Sequence, residues 1–78
     1  MKKIAIIGTG NLGSSIAEGL IKNKAFLPEQ IIATRTQLKQ IQHLQQLGVT
    51  TTTDNQLAIK EADYILLTHA HQDHILDV

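Results

Sequence analysis

The chain alternates between short apolar runs and segments whose apolar residues recur every three or four positions. The runs at residues 4–7, 31–33 and 64–67, and a weaker β-branched stretch at 49–52, predict four strands. The segments between them predict three helices, because a repeat of three or four places apolar side chains on one helical face. The apolar positions are Leu12, Ile16, Ala17, Leu20 and Ile21 in the first helix, Leu38, Ile41, Leu44 and Leu47 in the second, and Leu57, Ala58 and Ala62 in the third.

This βαβαβαβ alternation predicts an α/β fold with a parallel sheet. The order expected for such a dinucleotide-binding unit is 3-2-1-4, and the threonine-rich third strand suits a sheet edge. Thr36 is predicted to cap the second helix, and either Asp54 or Asn55 the third. In this order, two loops meet outside the carboxyl ends of the first and fourth strands, namely residues 8–13 and 68–74.

The first of these loops carries three glycines. Gly8, Gly10 and Gly13 have the spacing G-x-G-x-x-G between a strand and a helix. In that setting the first glycine allows a tight turn, the second lets a pyrophosphate approach the backbone, and the third lets the helix pack closely. The helix that begins near Asn11 directs its free N–H groups at the pyrophosphate. We therefore predict a Rossmann-like half domain, and the alternative is a glycine-rich turn without a cofactor.

The residues that follow the second strand indicate which dinucleotide binds. An NAD site usually carries an acidic residue there for the ribose hydroxyls, whereas this chain has Thr34, Arg35 and Thr36. A guanidinium matches a 2′-phosphate, and two hydroxyls can donate to it. The sequence therefore predicts NADP(H) in preference to NAD(H). The alternative is that Arg35 is an ordinary surface residue.

Length and composition narrow the classes of protein. The chain has 78 residues, 42% of them hydrophobic, which indicates one small domain with a modest core. Seven basic and seven acidic residues leave no net charge, so no nucleic-acid partner is expected. There is no cysteine, no apolar stretch of membrane-spanning length and no secretory signal pattern, so the predicted location is cytoplasmic. Small size and open sheet edges favour a homo-oligomer.

Three segments together resemble a known family. GTGNLGSSIAEGLIK, LPEQIIATRT and LGVTTTTDNQLAIKEADYILL are similar to the amino-terminal NADPH-binding domain of pyrroline-5-carboxylate reductase. The resemblance covers about residues 2–67. It implies that the loop at residues 8–13 holds the pyrophosphate and that the stretch after strand two holds the 2′-phosphate. It also implies that an asparagine at the start of the third helix lies beside the cofactor. The implied residues are Gly8, Thr9, Gly10, Asn11, Leu12 and Gly13, then Thr34, Arg35 and Thr36, and finally Asn55.

Two departures from that family limit the expected activity. The family reductase continues into a helical domain that dimerises and builds the substrate site, whereas this sequence ends at Val78. The expectation is therefore one truncated dinucleotide-binding domain, residues 1–78, without reductase activity alone and with no catalytic residue assigned. In the family, strand four leads into Ala-Val-Lys-Pro-Gln, which lines the nicotinamide. Here Thr68 occupies the first of these cofactor-lining positions, and a different sequence follows it.

That different sequence contains H-x-H-x-D-H and resembles the zinc motif of the metallo-β-lactamase superfamily. The resemblance covers about ten residues and implies zinc ligands at His69, His71, Asp73 and His74. Imidazole and carboxylate groups are suitable zinc ligands. The family's further ligands have no counterpart, so weak binding of one metal, or completion by water or a second chain, is expected. The alternatives are a solvated loop that binds nothing, a zinc hydrolase fragment, and a designed or chance combination of the two patterns.

Overall fold

The structure, a computed structural model, describes residues 1–68 as four strands and three α-helices. Strands β1 to β4 form one parallel sheet in the order β3-β2-β1-β4, which confirms the predicted α/β architecture. Among these residues the longest helix has 12 residues, and none could span a membrane. In chain order the elements are β1 Ile4–Ile7, α1 Asn11–Lys22, β2 Ile31–Thr34, α2 Gln42–Gln46, β3 Thr50–Thr52, α3 Asn55–Glu61 and β4 Tyr64–Leu67.

Alternate residues of the central strands fill two separate cores. Ile6 lies on the face that α1 and α2 cover, whereas its neighbours Ala5 and Ile7 lie on the face that α3 covers. Successive side chains of a strand point to opposite faces, so a strand buried on both sides is apolar throughout. The first core contains Ile6, Ala17, Ile31, Ala33, Ile41, Leu44 and Val49, and the second Ala5, Ile7, Ile32 and Ala58.

The second α-helix is shorter than the sequence predicts, because the first part of the predicted segment is a 3-10 helix. A 3-10 helix over Leu38–Ile41 precedes α2, and Gln37, not Thr36, is its N-cap residue. The prediction that Thr36 caps this helix was therefore wrong. The apolar residues of this segment recur every three positions, which matches the three residues per turn of a 3-10 helix. Only two of these apolar residues, Ile41 and Leu44, are buried.

The entry to α3 is an ordinary capped N-terminus. Asp54 is the N-cap residue, and its Oδ1 accepts a hydrogen bond of 3.0 Å from the backbone N–H of Leu57. This decides between the two predicted caps, Asp54 and Asn55.

The third strand begins one residue later than predicted because Val49 is buried beside α2, while Thr50 starts the pairing with β2. As predicted, β3 lies at one edge of the sheet.

The opposite edge of the sheet is apolar and exposed. On β4, Tyr64, Ile65 and Leu67 are 50%, 48% and 63% exposed, whereas Leu66 packs on the first core. Within residues 1–68, β4 has a neighbouring strand on one side only, which is β1. Strand pairing in register places Ile65 beside Ala5 and Leu67 beside Ile7, so both side chains lie on the α3 face.

Candidate dinucleotide-binding site

The loop between β1 and α1 depends on glycine at its two ends. Gly8 has a φ of 73°, a left-handed conformation that only glycine adopts without strain. At Gly13, a Cβ atom would lie 2.8 Å from the Thr68 hydroxyl oxygen, which is closer than real Cβ contacts, and a tight 3.2 Å from Thr9 Cγ2. The first glycine therefore permits the turn, and the last allows α1 to approach the sheet.

The N-terminus of α1 is open at this loop. Gly10 is the N-cap residue, no side chain caps the helix, and its first turn contains no acidic residue. The N–H groups of Asn11, Leu12 and Gly13 precede the first intrahelical hydrogen bond, which runs from the N–H of Ser14 to the Gly10 carbonyl. Three backbone donors and the positive end of the helix dipole therefore lie where the motif would place a pyrophosphate.

Two threonines support the loop from inside. The Thr34 hydroxyl accepts a 3.0 Å hydrogen bond from the N–H of Gly8, and the Thr34 carbonyl accepts one of 2.7 Å from the N–H of Thr9. The Thr9 hydroxyl donates to the Ile6 carbonyl at 2.9 Å, and neither threonine has exposed surface. The Thr34 hydroxyl is thus bonded to the loop backbone and is buried, and its predicted contact with a phosphate stays a prediction.

Arg35 extends from the end of β2 across the loop. Its Nη1 donates to the Thr9 carbonyl at 2.8 Å and lies 3.4 Å from where a Cβ of Gly10 would be. Thr36 follows and is exposed to solvent. The fold therefore brings the predicted 2′-phosphate residues beside the predicted pyrophosphate loop, although 26 positions separate Arg35 from Thr9 in the chain.

A polar groove of about 570 Å³ begins beside Arg35 and runs between α1 and the segment at residues 40–43. Glu18 and His43 lie in it with 3.5 Å between Oε2 and Nε2, and both side chains are about half exposed. His43 is therefore on the surface, as predicted. Sequence reasoning missed this groove, although polar residues spaced three or four apart along α1 indicate it. The lining residues are Asn11, Ser14, Ser15, Glu18, Arg35, Gln40 and His43.

The remaining predicted site residues differ in accessibility. Asn55, the first residue of α3, is exposed. Thr68 is 9% exposed, and its hydroxyl donates to the carbonyls of Ile7 and Gly8 at 3.3 and 3.2 Å. Leu12 is 53% exposed, because it lies in the first turn of α1 at the rim of the sheet.

The predicted zinc ligands His69, His71, Asp73 and His74 lie outside the described residues. Within residues 1–68, no three histidine, cysteine, aspartate or glutamate side chains form a group that could hold a metal ion. A zinc site at this position stays a prediction from the sequence.

Comparison with known proteins defines the family. Residues 3–75 match the model of a family described as NADP oxidoreductase, coenzyme F420-dependent. The chain belongs to this family. A dinucleotide-binding half domain is therefore supported independently of the loop geometry.

Named relatives of this family member are pyrroline-5-carboxylate reductases. Reductase 1 of Dictyostelium discoideum is 36% identical over 76 residues, which are 95% of this chain and 14% of the relative. Reductase 2 of the same organism is 40% identical over 67 residues, covering 85% of this chain and 22% of the relative. A solved pyrroline-5-carboxylate reductase from Coxiella burnetii has a TM-score of 0.78 at 34% identity, covering 86% of this chain and 25% of that one.

These matches confirm the resemblance to the NADP-binding domain of that reductase. They also show that the chain spans about a quarter or less of the length of these relatives. The matches therefore concern one part of each relative, and the activity of the whole relatives does not follow for this chain.

Proposed function

We propose that the chain binds NADP(H), with the pyrophosphate at the N-terminus of α1 and the 2′-phosphate at Arg35 and Thr36. The observation that carries this proposal is the Arg35 guanidinium, which lies against the glycine loop with Nη1 at 2.8 Å from the Thr9 carbonyl. The Arg35 guanidinium lies beside the same loop as the N-terminus of α1. One dinucleotide could therefore place its pyrophosphate at the helix terminus and its 2′-phosphate at Arg35.

The pyrophosphate part of the proposal rests on unused donors. The first turn of α1 offers backbone N–H groups and contains no acidic residue that would repel an anion. Asn11 and Leu12 are exposed at that turn, so the approach from solvent is open. Gly10 adds no side chain on the same side, which leaves room for close contact.

The preference for the 2′-phosphate rests on the charges after β2. Residues 33–37 contain Arg35 and no carboxylate, whereas a ribose with free hydroxyls is usually held by an acidic side chain there. Arginine presents a planar fork of donors to phosphate oxygens, and the exposed hydroxyl of Thr36 adds another donor.

Titration of the chain with NADPH, NADH and 2′,5′-ADP, followed by nucleotide fluorescence or calorimetry, tests the proposal. We expect NADPH to bind at least about tenfold more tightly than NADH, because a charged hydrogen-bonded pair contributes about 1.5–3 kcal/mol. The fragment 2′,5′-ADP should compete with NADPH, whereas 5′-AMP should compete poorly. Equal affinity for NADPH and NADH would remove the basis for the cofactor assignment.

For the reaction, we infer that the cofactor serves reduction of a cyclic imine in the complete protein, as the names of the relatives suggest. Hydride transfer needs the imine carbon to be held against the nicotinamide. The contacts proposed above concern only the phosphates of the cofactor, and for the chain alone we expect NADPH binding without imine-dependent oxidation. Steady NADPH consumption on addition of pyrroline-5-carboxylate to the purified chain would contradict this.

A zinc site is the second candidate, and one sequence observation favours it. Four donor-type residues, His69, His71, Asp73 and His74, lie within six positions of one another in the sequence after β4. Zinc uptake measured by a competing chelator should approach one equivalent and disappear when His69 and His71 are both replaced by alanine. His43→Ala is the matched control, and zinc uptake that persists in the double variant would end this candidate.

A further inference from the structure

The first two peptide units of the glycine loop are each held from both sides. In the peptide between Ile7 and Gly8, the carbonyl accepts from the N–H and hydroxyl of Thr68 at 3.1 and 3.3 Å, and the N–H donates to the Thr34 hydroxyl at 3.0 Å. In the peptide between Gly8 and Thr9, the carbonyl accepts from the Thr68 hydroxyl at 3.2 Å. Its N–H donates to the Thr34 carbonyl at 2.7 Å.

The strand order produces this arrangement. Strand β1 lies between β2 and β4, and Thr34 ends β2 whereas Thr68 follows β4. Both threonines therefore flank the loop where it leaves the sheet. Both side chains are buried, at 0% and 9% exposure, so water competes little for their hydroxyl groups.

We propose that Thr34 and Thr68 form a clamp that fixes the orientation of the glycine loop and thereby aims the N-terminus of α1 at the pyrophosphate. They act as positioning residues, because both hydroxyls are bonded to the backbone of the loop. Gly8 has a φ of 73° and no side chain, so its two flanking peptides would otherwise rotate at low cost. A small rotation there displaces every donor that follows, and phosphate binding depends on those donors converging.

The same contacts explain the close packing of Gly13. A Cβ at that residue would lie 2.8 Å from the Thr68 hydroxyl oxygen, so the hydroxyl that holds the Gly8 carbonyl also lies against the first turn of α1. The clamp therefore contacts both ends of the loop. Loop orientation and helix position are set by one side chain from β4 and one from β2.

The inference rests on the proposed function but makes a different prediction. The pyrophosphate is common to NADPH and NADH, whereas the 2′-phosphate is present only in NADPH. Loss of the clamp should weaken both cofactors by the same factor and leave their ratio unchanged. Loss of Arg35 should change the ratio.

The test compares Thr34→Val and Thr68→Val with Thr34→Ser and Thr68→Ser in the full chain. Valine keeps the shape and removes the hydroxyl, and serine restores it. The dissociation constants for NADPH and NADH are measured well below the melting temperature of each variant, so that unfolding does not contribute. Thr50→Val, at the exposed amino end of β3, is the matched control.

We expect each valine variant to bind both cofactors about fivefold more weakly, since one hydrogen bond contributes about 1 kcal/mol. The serine variants should return to within about twofold of the original affinity. Valine variants with a lowered melting temperature and unchanged dissociation constants would overturn the clamp and leave only a structural role. A change in the ratio of the two affinities would also overturn it.

A second measurement needs no variant to fold and no cofactor to bind. Amide hydrogen exchange of Gly8 and Thr9 in the unaltered chain should be as slow as that of β1, because both N–H groups are bonded to Thr34. Rapid exchange would overturn the clamp. If the unaltered chain bound neither cofactor, the proposed function would fail, and the exchange rates would still show whether the loop is held.

Discussion

Replacing Arg35 with alanine is the sharpest test of the cofactor assignment. The change removes a guanidinium that donates to the Thr9 carbonyl at 2.8 Å beside the open N-terminus of α1. The proposed hydrogen bond from Arg35 to a 2′-phosphate would be worth about 1.5–3 kcal/mol, because both partners are charged. That range corresponds to about 10- to 150-fold weaker binding of NADPH.

The effect on NADH should be much smaller. Arg35→Ala also removes the hydrogen bond from Arg35 to the Thr9 carbonyl of the loop. This bond is only partly buried, so its loss should cost about 0.5 kcal/mol, or about twofold in NADH affinity. The ratio of the two dissociation constants should therefore fall by about tenfold or more. Arg35→Lys should lie between the two, because lysine keeps the charge but lacks the planar fork.

Fluorescence titration with both reduced cofactors measures these constants, and the cofactor-induced shift in melting temperature provides an independent reading. Lys22→Ala is the matched control, because it removes a positive charge at the other end of α1. A loss of NADPH affinity equal to the loss of NADH affinity would refute a 2′-phosphate contact at Arg35. If Lys22→Ala lost as much NADPH affinity as Arg35→Ala, the loss would reflect the removal of any positive charge and not a specific contact.

Three further predictions concern packing, capping and the open sheet edge. Gly13→Ala should lower the free energy of unfolding by about 1–3 kcal/mol in urea titrations, because its Cβ would lie 2.8 Å from the Thr68 hydroxyl oxygen; unchanged stability would mean that the helix moves away without cost. Asp54→Ala should cost about 1 kcal/mol through loss of the bond to the Leu57 N–H, whereas Asp54→Asn should cost much less; equal losses would argue against capping. Leu67→Lys should reduce self-association in sedimentation velocity, because Leu67 is 63% exposed on the open edge; a monomer before the change would refute self-association through β4.

The strands and the cofactor loop were predictable because their signals are local. The apolar run Ile4–Ile7 is typical of a strand buried on both faces, and three glycines follow directly at the turn into α1. The parallel order β3-β2-β1-β4 follows from alternation and right-handed crossovers, which restrict the topology strongly. The role predicted for Arg35 also rests on a local signal, its position after the second strand, and it stays a prediction.

Contacts between distant parts of the chain decided the rest. Thr34 and Thr36 are both threonines beside Arg35, but Thr34 is the last residue of β2 and is buried under the loop, whereas Thr36 lies beyond the end of the strand and is exposed. Thr68 holds a loop 60 residues earlier in the chain, which no local pattern indicates. The sequence by itself determined the elements, their order and the charge beside the loop. Only the tertiary structure decided which hydroxyls support the loop and which face solvent, because that depends on the direction of each side chain once three strands lie side by side.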